Sequence, residues 1–209
     1  ITYTHYGPSD VLRFEEVEKP TPGVNEVLVK IHAASVNAYD WRYMRADPFL
    51  VRLVGGLLRP RNPRLGADLA GRVEAVGSEV TLFRPGDEIF GDLAKAGHGT
   101  FVEYIAVPEH ALALKPANLT FEQAAAVPMA AVTALQALRD GGKIHAGHRV
   151  LIIGASGGVG TFAVQIARSF GAEVTAVCST RNVALVQSLG ADHIIDYKRE
   201  DLTRSAERY

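Results

Sequence analysis

Four glycines fall within seven residues, Gly154-Ala155-Ser156-Gly157-Gly158-Val159-Gly160. The apolar, β-branched run Val150 to Ile153 comes directly before them, and the helical apolar pattern of Phe162, Val164, Ile166 and Ala167 comes directly after. At such a turn the backbone carries the chemistry. Glycines allow a tight reversal and let a pyrophosphate approach the main chain, while free N–H groups at the positive end of the following helix receive its charge. Glu173 to Cys178 supplies a second strand at the spacing of a βαβ unit. The stretch therefore reads as a dinucleotide turn, with a purely structural α/β turn as the alternative.

The end of that second strand bears on which dinucleotide. A carboxylate about 20 residues after the glycines would hold a ribose 2′-hydroxyl. Here Cys178, Ser179, Thr180 and Arg181 stand there instead. Two hydroxyls and a guanidinium suit a 2′-phosphate, which an acid would repel and an Arg can clamp with paired donors. The expected cofactor is NADPH rather than NADH; otherwise Arg181 only caps a solvated helix start.

A second set of polar side chains, Ser35-Val36-Asn37-Ala38-Tyr39-Asp40-Trp41, leaves the end of a strand into an irregular or helical segment, a placement suited to facing a cleft. Beyond it, Arg42 to Arg64 holds six arginines against the single carboxylate Asp47, with Leu50, Val51, Leu53, Val54, Leu57 and Leu58 between them. That pattern reads as an amphipathic helix or lid with a solvated basic face, or as a mobile wall that bends at Gly55-Gly56. His32 has no second His, Cys or carboxylate at metal-ligand spacing and is expected to be a partly covered strand residue.

The elements that must position these groups change character along the chain. Ile1 to about Pro22 reads as a strand ending in a turn, and Glu26 to Ala34 as a strand with period two. Gly66 to Val80, Ile89-Phe90 and Thr100 to Val107 add short strands between glycine turns, which predicts a compact β-rich barrel rather than a parallel sheet. After Pro116 the composition shifts. Thr120 is the expected N-cap of an alanine-rich helix, Gln123 its capping-box partner, and Pro128 the place where that helix kinks or divides. The domain boundary is placed there, at 1–125 and 126–209. The Thr133 hydroxyl is expected to bond back to the preceding turn. Val183 to Leu189 and Ala191 to Asp196 then give a second helix and a third strand.

With 209 residues, 47% hydrophobic and 22% charged, the chain has the composition of a soluble globular protein with a sizeable core. A formal net charge of -1 offers no global attraction to nucleic acid or to an anionic membrane. Nor is there an apolar run long enough to span a bilayer or a basic-then-apolar leader, so no nucleic-acid or membrane partner is expected. The one cysteine, Cys178, makes no internal disulfide, in keeping with a reducing cytoplasm. Ile1 in place of Met suggests that the front of the chain was trimmed.

Taken in order, GADLAGRVEAVG, RPGDEIFG, KPANLTFEQAAAVPMAAVTALQAL and GASGGVG resemble the zinc-independent medium-chain dehydrogenase/reductases of the quinone oxidoreductase-like group, across essentially the whole chain. The resemblance implies a GroES-like β-rich catalytic domain followed by an α/β Rossmann domain, with the active site in the cleft between them. It implies NADPH as reductant and a quinone, enone or related electrophilic carbonyl compound as the small-molecule substrate. Zinc-dependent relatives carry Cys where this chain has Asn37, and Gly-His-Glu where it has Gly66-Ala67-Asp68, so no metal ligand is expected. Without a Lewis acid the acceptor must be polarised by hydrogen bonds or be an activated C=C. By the same resemblance Asn37 lies near the nicotinamide and donates an N–H to a substrate oxygen, with Tyr39 and Asp40 for orientation or proton delivery. Thr133 matches a position near the carboxamide, and Ser179, Arg181 and Tyr197 match contacts to the 2′-phosphate and adenine.

The family runs well past Tyr209, so only the first half of the Rossmann domain is expected here. That leaves a truncated, non-catalytic NADPH-binding or interaction protein as the alternative to an enzyme, with a zinc alcohol dehydrogenase as a remote third reading. Relatives often form homodimers that pair Rossmann-domain edges through strands absent from this sequence.

Overall fold

The computed structural model describes residues 1–200 and 209. Contacts divide the chain into two compact units, Ile1–Met129 and Ala130–Tyr209. In chain order the first holds β1 (Glu26–Ala34), α1 (Ala38–Arg45), α2 (Val51–Gly55), β2 (Asp68–Val76), β3 (Glu88–Asp92), β4 (Tyr104–Pro108), β5 (Leu112–Leu114) and α3 (Phe121–Ala125). Helix α4 (Pro128–Leu135) runs across the division. The second unit continues with β6 (Arg149–Ile153), α5 (Gly158–Ser169), β7 (Glu173–Cys178), α6 (Val183–Ser188) and β8 (His193–Asp196).

The first unit is built on one five-stranded sheet in the order β4-β1-β2-β3-β5, with every pairing antiparallel. This agrees with the expectation of short strands that do not form a parallel sheet. Val27, Val29, Leu69 and Ile89 are fully buried, and Val73 and Val107 nearly so. Each such side chain contributes about 1.5–3 kcal/mol. His32 stacks on Phe121 with ring centroids 4.4 Å apart but is exposed, so the strand placement expected of it holds and the partial covering does not.

Three local expectations change. Ile1 to Pro22 forms no strand beyond bridges from Thr2 to Arg13 and to Arg64, and Phe14 is 93% exposed. The apolar alternation there has no facing strand to bury it. Strand β4 starts only at Tyr104, because Phe101 packs instead with Tyr3, Val11, Met44 and Leu65 in a separate small cluster. The arginine-rich segment forms two short helices rather than one. Helix α1 closes at Ala46, which sits in the left-handed region at φ 52°, and Pro48, with no N–H to donate, follows before α2 begins.

Thr120 caps α3 with its side chain accepting from Gln123 N, and Pro128 begins a new helix, both as the sequence predicts. The α4 continuation is a π-helical turn over Gln136–Gly141. Thr133 is exposed on α4, and its hydroxyl makes no bond back to the preceding turn. The second unit is a parallel sheet in the order β6-β7-β8 with α5 and α6 as its crossovers. Val164, Ala167, Val174, Ala176 and Val186 form its dry centre. Among the described residues no helix is long and apolar enough to cross a membrane.

Candidate active site and nucleotide turn

Where β1 ends and β2 begins, three polar side chains close on one another. Ser35 Oγ donates to Asp68 Oδ2 at 2.9 Å, and Asn37 Nδ2 donates to Ser35 Oγ and to Asp68 Oδ2, each at 3.0 Å. The other carboxylate oxygen, Oδ1, accepts from Met129 N at 3.0 Å, at the start of α4. Asp68 is fully buried. Burial raises its pKa to about 6, against the pull of its Asn37, Ser35 and Met129 donors. Asn37 itself is half-buried, with both amide hydrogens spoken for inside the chain.

Asp40 works on the backbone of the same loop. Its Oδ2 accepts from Asn37 N at 2.6 Å, which fixes the entry to α1, and the residue is only 2% exposed. Burial raises its pKa too. Tyr39 is half-buried with its ring tilted on Tyr43, centroids 4.4 Å apart. Its hydroxyl lies 3.4 Å from both Ala94 O and His98 Nδ1. Burial, then the hydrogen bond with Tyr43, push the Tyr39 phenol well above the ordinary tyrosine range, so it stays protonated. His98 is held below its usual pKa by burial and by Arg64, which keeps the imidazole neutral near pH 7.

In the second unit the glycine turn takes its shape from backbone bonds. Gly154, at φ 75°, and Ala155 both donate to Val177 O on β7, at 3.2 and 3.1 Å, and Gly157 N returns to Gly154 O at 2.9 Å. Gly157 is the extended N-cap of α5 and offers no side-chain cap, which leaves the first-turn N–H groups of Gly158, Val159 and Gly160 open. Two glycines here have different reasons. At Gly160 an added Cβ would run into Gly154 O and stand 2.7 Å from Ala155 Cα, so close packing of helix on turn demands it. At Gly158 an added Cβ would meet nothing within 4 Å. Packing among the described residues does not call for a glycine at Gly158.

The C-terminal ends of β7 and β8 bring Ser179, Arg181 and Tyr197 to one edge of the sheet. Arg181 is exposed and makes no ion pair among the described residues, and Tyr197 is exposed with its N–H on Cys178 O. Asn182 ties this edge to the turn by donating to Ser156 Oγ at 2.9 Å and Ser179 Oγ at 3.3 Å. The end of β7 carries no acid of its own, but the fold brings in Asp196 from β8. Thr180 Oγ1 donates to it at 2.6 Å, and Arg199 lies 3.6 Å away. The Thr180 bond is the largest influence holding its carboxyl below the usual range.

Sequence reasoning placed Ser35 among the cleft-facing polar residues without a partner, and missed Asp68 as an acceptor, His98 and Asn182. Only His98 left a local signal, as a histidine set between Gly97 and Gly99 at φ 40°. The others are joined to their partners by bonds between residues far apart in sequence.

Residues 23–117 match the alcohol dehydrogenase GroES-like domain, and residues 158–208 match the zinc-binding dehydrogenase domain. The chain is 40% identical over 213 residues to human NAD(P)H oxidoreductase RTN4IP1, mitochondrial, covering 92% of this chain and 52% of that protein. It is 39% identical over 212 residues to 2-methylene-furan-3-one reductase of Solanum lycopersicum, covering 96% of this chain and 52% of that protein. Its structure superposes on Escherichia coli quinone oxidoreductase complexed with NADPH at a TM-score of 0.83, with 29% identity over 96% of this chain and 59% of that one. The chain spans about half the length of the curated relatives it matches.

Proposed function

This chain belongs to the quinone oxidoreductase-like group of the medium-chain dehydrogenase/reductase family, and we propose that it serves a metal-free transfer of hydride from NADPH to a quinone, enone or related electrophilic carbonyl compound. In this reading residues 1–125 are the catalytic domain and 126–209 the nucleotide-binding one, of which 201–208 lie outside the described residues. The protein works in the cytoplasm, where the single thiol Cys178 stays reduced.

The observation that carries the reading is the open turn at Gly158, bare backbone that packing among the described residues does not call for and that suits close approach of a pyrophosphate. Gly154, Ala155, Ser156, Gly157, Gly158, Val159 and Gly160 hold the pyrophosphate, chiefly through the open N–H groups of α5. Arg181 and Ser179 take the 2′-phosphate, and Tyr197 lies against the adenine. Thr133, exposed on α4, takes the carboxamide. NADPH, when bound, supplies the hydride.

The chain's own side chains then have separate tasks. Ala67 offers no ligand where a zinc enzyme has histidine, and the Asn37 amide is turned to Ser35 and Asp68, so hydrogen bonding replaces a Lewis acid. Asn37 gives the hydrogen now on Ser35 Oγ to the substrate oxygen, while Asp68 keeps the amide in place. Asp40 orients Asn37 through its backbone N–H. Tyr39, protonated at neutral pH and backed by His98, is the proton source.

The test is fluorescence titration of the chain with NADPH and NADH, beside NADPH oxidation assays with benzoquinone and an enone, with and without EDTA. The reading expects preferential NADPH binding and EDTA-insensitive oxidation. Activity lost on chelation and restored by zinc would overturn it, and NADPH binding with no turnover on any acceptor would favour a non-catalytic role.

A further inference from the structure

A net charge of -1 hides a strong local asymmetry. Arg42 to Arg64 carries six arginines against Asp47 alone, and among the described residues none of the six has a carboxylate at ion-pair distance. The same segment exposes a run of large apolar side chains. Phe49, Leu50, Leu53 and Val54 are 63–68% exposed, Leu57 is 59% and Leu58 84% exposed. A solvated basic face would have turned those leucines inward, as the sequence pattern predicts, and the structure turns them out.

The segment is nonetheless built, not slack. Tyr6 Oη donates to Gly56 O at 2.7 Å, Arg61 N to Gly55 O at 2.7 Å, and the Arg52 guanidinium lies over the rings of Tyr6 and Phe49. Trp41, 39% exposed, has Arg42 and Arg45 beside its ring at 5.4 and 5.9 Å. Aromatic rings, aliphatic side chains and guanidinium groups without counter-ions, presented together, are what a bilayer interface takes up.

We propose that the Phe49–Leu58 segment, with its flanking arginines, docks the protein on an anionic lipid surface, as a peripheral rather than a spanning contact. Charge selects this occupant. A second copy of the chain would bring the same unpaired arginines against their like, whereas anionic headgroups pair with them and the acyl boundary receives Leu53, Leu57 and Leu58. The docking does not depend on cofactor binding or turnover. It departs from the expectation drawn from net charge, because attraction to a surface within a Debye length is decided by the nearest charges and not by their sum over the molecule.

Flotation of the chain with vesicles of phosphatidylcholine alone, and of phosphatidylcholine with phosphatidylserine, tests this without NADPH or an acceptor. Expected is flotation only with phosphatidylserine present, reversed by high salt. R59S/R61S should lower partitioning by about fivefold for each arginine removed, and L57S/L58S should abolish it while leaving the circular dichroism unchanged. Absence of flotation, equal flotation with neutral vesicles, or retention by both variants would overturn the proposal. So would a concentration-dependent dimer that L57S/L58S dissociates in the absence of any vesicle binding. Because the readout is lipid binding alone, it stands or falls separately from the oxidoreductase reading.

Discussion

Asn37 Nδ2 donates to Asp68 Oδ2 at 3.0 Å, joining the loop after β1 to the first residue of β2 across 31 positions of sequence. The same carboxylate also holds Ser35 and the start of α4. One buried acid thus sets the position of the amide proposed to meet the substrate.

Asp68→Ala leaves those half-buried donors without their acceptor, at a cost of up to about 1–3 kcal/mol for each group left unpaired. Asp68 also gives the stability a pH dependence. Its folded pKa of about 6 lies above the ordinary aspartate value of 3.8, so between these the folded state binds more protons than the unfolded chain. This group's contribution is fully present below 3.8 and is lost as pH rises through about 6, over a span worth about 3 kcal/mol. Urea unfolding of the wild type and Asp68→Asn at pH 4 to 7 checks it. The stability difference between the two should move against the wild type as pH rises, and a flat difference would mean that Asp68 does not titrate there.

Two alanine substitutions in the glycine turn should part company. Gly160→Ala drives a Cβ into Gly154 O, and overpacking of this kind costs about 1–3 kcal/mol. Gly158→Ala meets open space and should fold with unchanged or slightly higher stability, while NADPH affinity drops. Thermal melts beside NADPH titrations distinguish the two, and equal effects of both variants on both readouts would count against the cofactor role of the turn.

Arg181→Ala removes an exposed guanidinium that has no ion pair in the described residues, so folding should be unaffected. Losing a charge-assisted hydrogen bond to the 2′-phosphate should weaken NADPH binding about 10- to 100-fold, with NADH binding unchanged. An equal loss for both cofactors would remove Arg181 from the selectivity argument.

Tyr39→Phe deletes a hydroxyl that stands 3.4 Å from Ala94 O and His98 Nδ1 and bonds Tyr43, so unfolding should shift by about 1 kcal/mol. If the phenol delivers the proton, turnover falls about 100-fold or more with NADPH affinity intact. Stopped-flow measurement of NADPH oxidation separates this from a binding defect, and wild-type turnover would reassign the proton source.

What was legible in the sequence was local. The strand-turn-helix around Gly154 to Gly160, the Thr120 and Gln123 capping box and the break at Pro128 all follow from turn chemistry and periodicity within a few residues. The ordered motifs identified the family. Tertiary structure decided what those rules do not reach. Asp68 meets Met129 across 61 positions, Asn182 meets Ser156 across 26, and Asp196 arrives at the end of β7 from β8. Nothing near these residues in sequence marks their partners, because such bonds depend on which strand ends the sheet brings together. The same holds for Phe14 and for Leu50 to Leu58. Periodicity names a residue as apolar, but whether it is covered depends on what packs against it, and Phe14, Leu50, Leu53, Val54, Leu57 and Leu58 are left more than half exposed among the described residues.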